Sequence, residues 1–178
     1  QRQMCIRDRV RSVEVRIGLS ALSSELASWE CARWEKMDFE EVKSRTADQW
    51  EKQLSAIDVK GGKKDDRVIF YTSLYRTYLS PADVSSPDGA YLGTDGKVYI
   101  SEDFRYYSNW SLWDTFRTKF PLLVLTEPAK MRDMATSLIH LYATGKKDWS
   151  TGFESTPTVR TEHAAVSYTH LTLPTICS

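Results

Sequence analysis

The chain has 178 residues, 24 of them basic and 24 acidic, with three histidines and 41% hydrophobic residues. A balanced, interspersed charge gives no electrostatic reason to prefer nucleic acid or anionic lipid. No apolar run approaches the ~20 residues that cross a bilayer, so membrane insertion is not expected.

Residues 1–9, Gln-Arg-Gln-Met-Cys-Ile-Arg-Asp-Arg, resemble a translated transposon-library sequencing adapter. Val166 to Thr175, Val-Ser-Tyr-Thr-His-Leu-Thr-Leu-Pro-Thr, resemble the reverse complement of the same adapter in another frame. The expectation is that residues 1–9 and 165–178 are adapter-derived and that the sequence between them is an internal fragment of a longer protein. Segments of this kind are set aside in reasoning about fold. Without Arg2, Arg7, Asp8 and Arg9 the balance of 24 and 24 becomes 21 and 23, a net of −2. Cys5 and Cys177 also fall in these segments. Cys31 remains, and one thiol makes neither a disulfide framework nor a zinc site.

Val13 to Leu19 reads Val-Glu-Val-Arg-Ile-Gly-Leu, alternating as a half-buried strand does. Its sheet partners are expected upstream. Ser20 to Met37 carries Leu22, Leu26 and Trp29 at helical spacing. Asp38 is placed to cap a helix running to about Ile57, with Phe39, Val42, Trp50 and Leu54 on its apolar side. Gly61-Gly62 marks a turn, and an amphipathic helix is expected over Asp66 to Leu79, stopped by Ser80-Pro81. Residues 80–108 are polar, aromatic and contain the Asp88-Gly89 and Asp95-Gly96 pairs, which favour a short hairpin or functional loop over a helix. Ser111 reads as the cap of a helix through Lys119, broken before Pro121. Glu127-Pro128 opens a last helix, with Met131, Met134, Ala135, Leu138, Leu141 and Tyr142 in one stripe and Gly145 ending it. The order is one strand, then helices separated by aromatic loops, which is a mainly α chain.

The segment richest in chemistry is Asn109-Trp110-Ser111-Leu112-Trp113-Asp114-Thr115-Phe116-Arg117. A cap at Ser111 places Asp114 in the first helical turn, where free N–H groups favour a carboxylate. Beside it, the Trp113 indole offers a face on which the CH side of a sugar ring stacks while hydroxyls donate to the carboxylate. The plainer alternative makes Asp114 part of a capping box and Trp113 part of the core. Phe70 to Thr77 is a second aromatic cluster, read as a packed helix with Arg76 at its rim. Glu154 and Glu162, with His163, lie in a late loop that can supply a general acid, and His140 reads as a surface or capped histidine. No metal-ligand cluster, phosphate loop or Ser/His/Asp arrangement is visible.

Taken in order, Ile69 to Thr77, Asp88-Gly89-Ala90-Tyr91, Ser111 to Arg117 and Pro121-Leu122-Leu123 resemble the α-mannosidases of glycoside hydrolase family 92. Val-Arg-Ile-Gly-Leu-Ser upstream and the Val59-Lys60-Gly61-Gly62 turn are similar to that family as well. The resemblance implies a β-sandwich followed by an (α/α)6 six-hairpin barrel. Residues 10–37 would then close the sandwich and link it, and residues 38–164 would be the first helices of the catalytic barrel. It also implies inverting, calcium-dependent hydrolysis of α-linked mannose from glycans, in a secreted or periplasmic parent. By motif match, Trp113, Asp114, Arg117, Glu162 and His163 fall at the substrate. Glu154 is the nearest match to the general acid, one residue off the family's spacing and without its Met-Ile-Gly string. The base and the calcium ligands would lie outside this chain, leaving the chain alone inactive. Two further readings stay open: a six-hairpin glycosidase acting on α-glucosides, which shares the Trp-Asp-Thr-Phe string, and a non-catalytic carbohydrate-binding protein, suggested by the displaced acid.

Overall fold

The computed structural model describes residues 13–110, 112 and 115–144. The chain divides into two units, Gln1–Gln49 and Trp50–Ser178.

In the first unit, Ser23 caps helix α1 (Ser24–Arg33) by accepting the Leu26 N–H on its hydroxyl at 3.2 Å. The stretch from Val13 to Leu19 pairs with no strand among the described residues, its partners being expected upstream. Val13, Val15, Ile17 and Leu19 are 73–83% exposed. Alternation makes a strand only where a neighbour completes the ladder, and none of the described residues offers one. Arg16 anchors this segment instead. Its guanidinium donates to the carbonyls of Trp34, Glu35 and Met37 at 2.7–3.0 Å, just past the end of α1. A cation there satisfies orphan carbonyls and complements the helix dipole. Helix α2 (Phe39–Leu54) starts where expected, with the Asp38 carboxylate accepting the Glu41 N–H at 2.8 Å.

In the second unit, Trp50 at the end of α2 packs edge-on against Tyr75 of α3 (Lys64–Tyr78), with ring centroids 4.5 Å apart. The connection between these helices is pinned by Tyr71, whose hydroxyl donates to the Ile57 carbonyl and accepts from the Val59 N–H. Gly61 and Gly62 turn the chain there with φ of 86° and 67°, a region that favours glycine.

The polar stretch after α3 forms two small antiparallel pairs. Strand β1 (Ala82–Asp83) pairs with β4 (Tyr107–Ser108), and β2 (Ala90–Leu92) pairs with β3 (Val98–Ile100). The β2–β3 hairpin closes through Gly93–Lys97, as the Asp-Gly pair predicts. Its faces differ. Tyr91 and Tyr99 stack on one side at 5.7 Å, while Leu92, Val98 and Ile100 on the other are exposed.

Helix α4 (Lys119–Thr126) corrects the expectation for this region. Residues 115–118 form a turn, and the helix begins where it was predicted to end. Pro121 is its third residue. A first-turn N–H has no acceptor inside the helix, so proline costs nothing there. Helix α5 (Pro128–Ala143) follows, with Met131, Met134, Leu138 and Leu141 buried as the stripe predicts. These four join Tyr107, Trp110, Leu112, Phe120 and Leu123 in the hydrophobic core.

Candidate functional site

The Asn109–Arg117 segment links β4 to α4 and is held from both sides. Asn109 lies in the left-handed region at φ 61°, which asparagine tolerates better than most residues. Its carbonyl accepts from the Ser80 hydroxyl at 2.7 Å. Trp110 and Leu112 are 2% and 3% exposed, and the Trp110 ring meets Phe120 edge-on at 6.5 Å. On the far side, the Thr115 carbonyl accepts the Phe120 N–H at 3.0 Å. Trp113 and Asp114 lie between these anchors but outside the described residues, as does Ser111. Arg117 is exposed in the turn before α4, with its guanidinium 5.4 Å from the Phe116 ring. Glu154, Glu162 and His163 also lie outside the described residues.

Three buried polar atoms near this segment or its core have no hydrogen-bond partner among the described residues: Tyr78 Oη, Trp110 Nε1 and Thr115 Oγ1. Such groups are costly to leave unpaired. Lys119, the first residue of α4, is half-buried, and the loss of water pushes its pKa below the ordinary lysine value.

A second cluster was not anticipated from the sequence. Tyr91 stacks on Tyr106 at 4.1 Å, and its hydroxyl lies 3.1 Å from His140 Nδ1. His140, read as a surface or capped histidine, is half-buried against Phe104, with ring centroids 4.8 Å apart. Burial pushes the Tyr106 phenol up to about 12. Arg105 braces the adjoining loop. Its guanidinium donates to Asp83 Oδ2 at 2.8 Å and to the Ser85 and Ser86 carbonyls at 2.9 Å each. The Arg105 backbone N–H donates to Asp133 of α5 at 3.2 Å. Beside it opens a cleft of about 430 Å³ whose lining includes Asp88, Glu102, Asp103, Arg105 and Asp133. This lining is rich in acceptors, and Arg105 is neutralised by Asp83, so the cleft can take hydroxyl donors. No group of three or more His, Cys, Asp or Glu able to hold a metal occurs among the described residues.

No signal in the sequence pairs Tyr91 with His140 or Arg105 with Asp83, because these partners are 49 and 22 residues apart. Their types were visible, but Tyr91 meets His140 only through the packing of α5, and Arg105 meets Asp83 beside the β1–β4 pairing.

A chain of this class, mainly helical with short aromatic hairpins, matches a family of sugar-cleaving catalytic domains. The profile of the glycosyl hydrolase family 92 catalytic domain matches residues 25–174, and the chain belongs to that family. The match runs past residue 165 into the stretch that resembles adapter sequence. Among solved structures, the chain is 32% identical to the GH92 family glycosyl hydrolase ccman5, over 84% of this chain and 21% of that one, with a TM-score of 0.73. It is 29% identical to the family GH92 α-mannosidase BT3965 from Bacteroides thetaiotaomicron, over 72% and 17% of the two chains, with a TM-score of 0.67. The family GH92 inverting mannosidase BT2199 from Bacteroides thetaiotaomicron VPI-5482 is 28% identical over 70% and 17%, with a TM-score of 0.64. The chain thus spans between 17% and 21% of the length of these relatives. No curated protein matches it.

Proposed function

We propose that this chain is part of a calcium-dependent, inverting exo-α-mannosidase that removes α-linked mannose from glycans. The observation that carries the reading is the family 92 catalytic-domain match over residues 25–174, which includes the whole Ser111–Arg117 segment. The similarity to BT3965, an α-mannosidase, and to BT2199, an inverting mannosidase, supports it. So does the complex of BT3965 with mannoimidazole. In this reading residues 38–164 are the first helices of an (α/α)6 barrel, and residues 10–37 close a β-sandwich and link it to the barrel. The parent is secreted or periplasmic.

Each side chain has a physical task. Trp113 stacks on the apolar face of the mannose ring, and Asp114 accepts its hydroxyl protons. Arg117, Glu162 and His163 complete the polar contacts. Glu154 protonates the leaving oxygen, while a base from outside this chain activates water on the opposite face. Inversion requires the two carboxyls to stand roughly 6.5–9.5 Å apart, leaving room for that water. The described residues do not fit a calcium cage, since no three ligand-type side chains converge among them. The ion, as proposed, is held by oxygen ligands elsewhere in the parent. The chain alone is inactive on this account.

Proton NMR of the full-length parent acting on an α-mannoside tests the reaction. The expected first product is β-mannose. Release of α-mannose contradicts inversion, and cleavage of α-glucosides in place of mannosides supports the glucosidase alternative. Binding without cleavage points to a carbohydrate-binding protein.

A further inference from the structure

Among the described residues, Asn109 is the one non-glycine at positive φ, 61°, where the chain leaves β4 for the Ser111–Arg117 segment. A left-handed residue persists only where its surroundings hold it, and such residues cluster at functional sites. The β1–β4 ladder ends with Ala82 opposite Ser108. Pro81, just before β1, has no N–H to carry it further. The Ser80 hydroxyl bridges the gap instead, donating to the Asn109 carbonyl at 2.7 Å across 29 residues of sequence. Trp110 and Leu112, 2% and 3% exposed, seat the following chain in the core. Apolar burial of that kind is non-directional, whereas a hydrogen bond sets the direction of the peptide that accepts it. Trp113 and Asp114 follow Asn109 by four and five residues.

We propose that Ser80 is a positioning residue for substrate binding: its hydroxyl fixes the left-handed corner at Asn109 and, through it, the approach of Trp113 and Asp114 to the sugar. This role rests on the reading that the Ser111–Arg117 segment meets a mannose. Asn109 is exposed, so water can satisfy its carbonyl when the hydroxyl is removed. Losing the bond therefore costs aim rather than stability, unlike the loss of a buried bond, which strands a group with no partner. A displacement of about 1 Å at a group that orients the substrate is enough to lower a rate.

The test uses the full-length parent, with Ser80→Ala, Ser80→Thr, Asp114→Asn and the Ser80→Ala/Asp114→Asn double variant. In Ser80→Ala, peptides covering Asn109 to Arg117 should exchange amide hydrogens faster, with α5 unchanged and the melting temperature nearly kept. Its kcat/KM for an α-mannoside should fall about three- to tenfold. Ser80→Thr keeps a hydroxyl and should restore both. The double variant should lose less than the product of the two single losses, because both changes act on one contact. If Ser80→Ala does not fold, Ser80→Thr against the isosteric Ser80→Val isolates the hydroxyl in the same way. Unchanged exchange over Asn109 to Arg117 overturns the proposal whatever that segment binds. A kcat/KM lowered by Asp114→Asn but not by Ser80→Ala overturns the role of Ser80 and leaves the mannose reading standing. Fully multiplicative losses overturn it too, since Ser80 would then act elsewhere. Wild-type kcat/KM in Asp114→Asn overturns the mannose reading, and the role of Ser80 with it, even where the exchange changes.

Discussion

The hydroxyl of Ser137 on α5 accepts the backbone N–H of Tyr107 on β4 at 2.9 Å, across 30 residues of sequence. The same oxygen lies 2.7 Å from the Asp133 carbonyl, to which it donates. Ser137 is fully buried, so water cannot replace it. One side chain thus joins the small sheet to the last helix, just before the Asn109–Arg117 segment begins. Ser137→Ala strands the Tyr107 N–H and should destabilise the fold by about 1–3 kcal/mol, read as a lower melting temperature. A melt unchanged by the substitution would mean that the bond is not formed in solution.

Gly89 separates two effects of glycine. It sits at φ 84°, and a Cβ there would lie 2.1 Å from the Ser101 carbonyl oxygen. Gly61 has a similar φ of 86° but open space around it. Gly61→Ala should cost about 1 kcal/mol from backbone strain alone. Gly89→Ala should cost clearly more, because Ser101 must also move. Equal urea midpoints for the two variants would contradict the close approach.

Burial holds Tyr106 and Tyr107 in the phenol form, each pushed up to about 12 from an ordinary value of 10.0. The unfolded chain releases these protons from pH 10 upward, while the folded chain keeps them. Their contribution is therefore complete below pH 10 and is lost as pH rises through 12, at about 1 kcal/mol per pH unit for each ring. Thermal melts between these limits should show a steep loss of stability. Tyr106→Phe should make the slope roughly half as steep, and an unchanged slope would reassign its origin.

How much of this was legible in the sequence differs by element. The stripe of α5 was readable because Met131, Met134, Leu138 and Leu141 face one core at helical spacing. The hairpin was readable from Asp95-Gly96, since tight turns are local chemistry. Helix α4 starts later than the sequence predicts, because Pro121 opens a helix as readily as it ends one. The alternation from Val13 to Leu19 finds no partner among the described residues, because pairing is a property of two segments and its partners are expected upstream. The partner of His140 was not readable, because Tyr91 is contributed by a distant hairpin. Of the sequence-derived site residues, Arg117 alone falls among the described ones, so the residue-level site still rests on motif.

Exposed apolar residues predict association. Val68, Ile69 and Leu79 around α3 are 48–64% exposed, and Val98 and Ile100 on the hairpin are 59% and 71% exposed. Patches of this kind drive self-association or bind hydrophobic dyes. The chain should elute larger than its 20.5 kDa in gel filtration, with enhanced dye fluorescence. A monomer that leaves the dye dark would show these faces to be covered in solution.

Contact between the Ser111–Arg117 segment and a mannose is tested by Asp114→Asn in the full-length parent. The change keeps the side-chain shape and removes the charge, weakening hydroxyl donation by about 1.5–3 kcal/mol. With such a contact, kcat/KM for mannoside hydrolysis should fall roughly ten- to a hundredfold, with the melting temperature nearly kept. A capping role predicts the reverse, a stability loss of about 1 kcal/mol with activity retained. Wild-type hydrolysis by a folded Asp114→Asn parent would contradict the assignment.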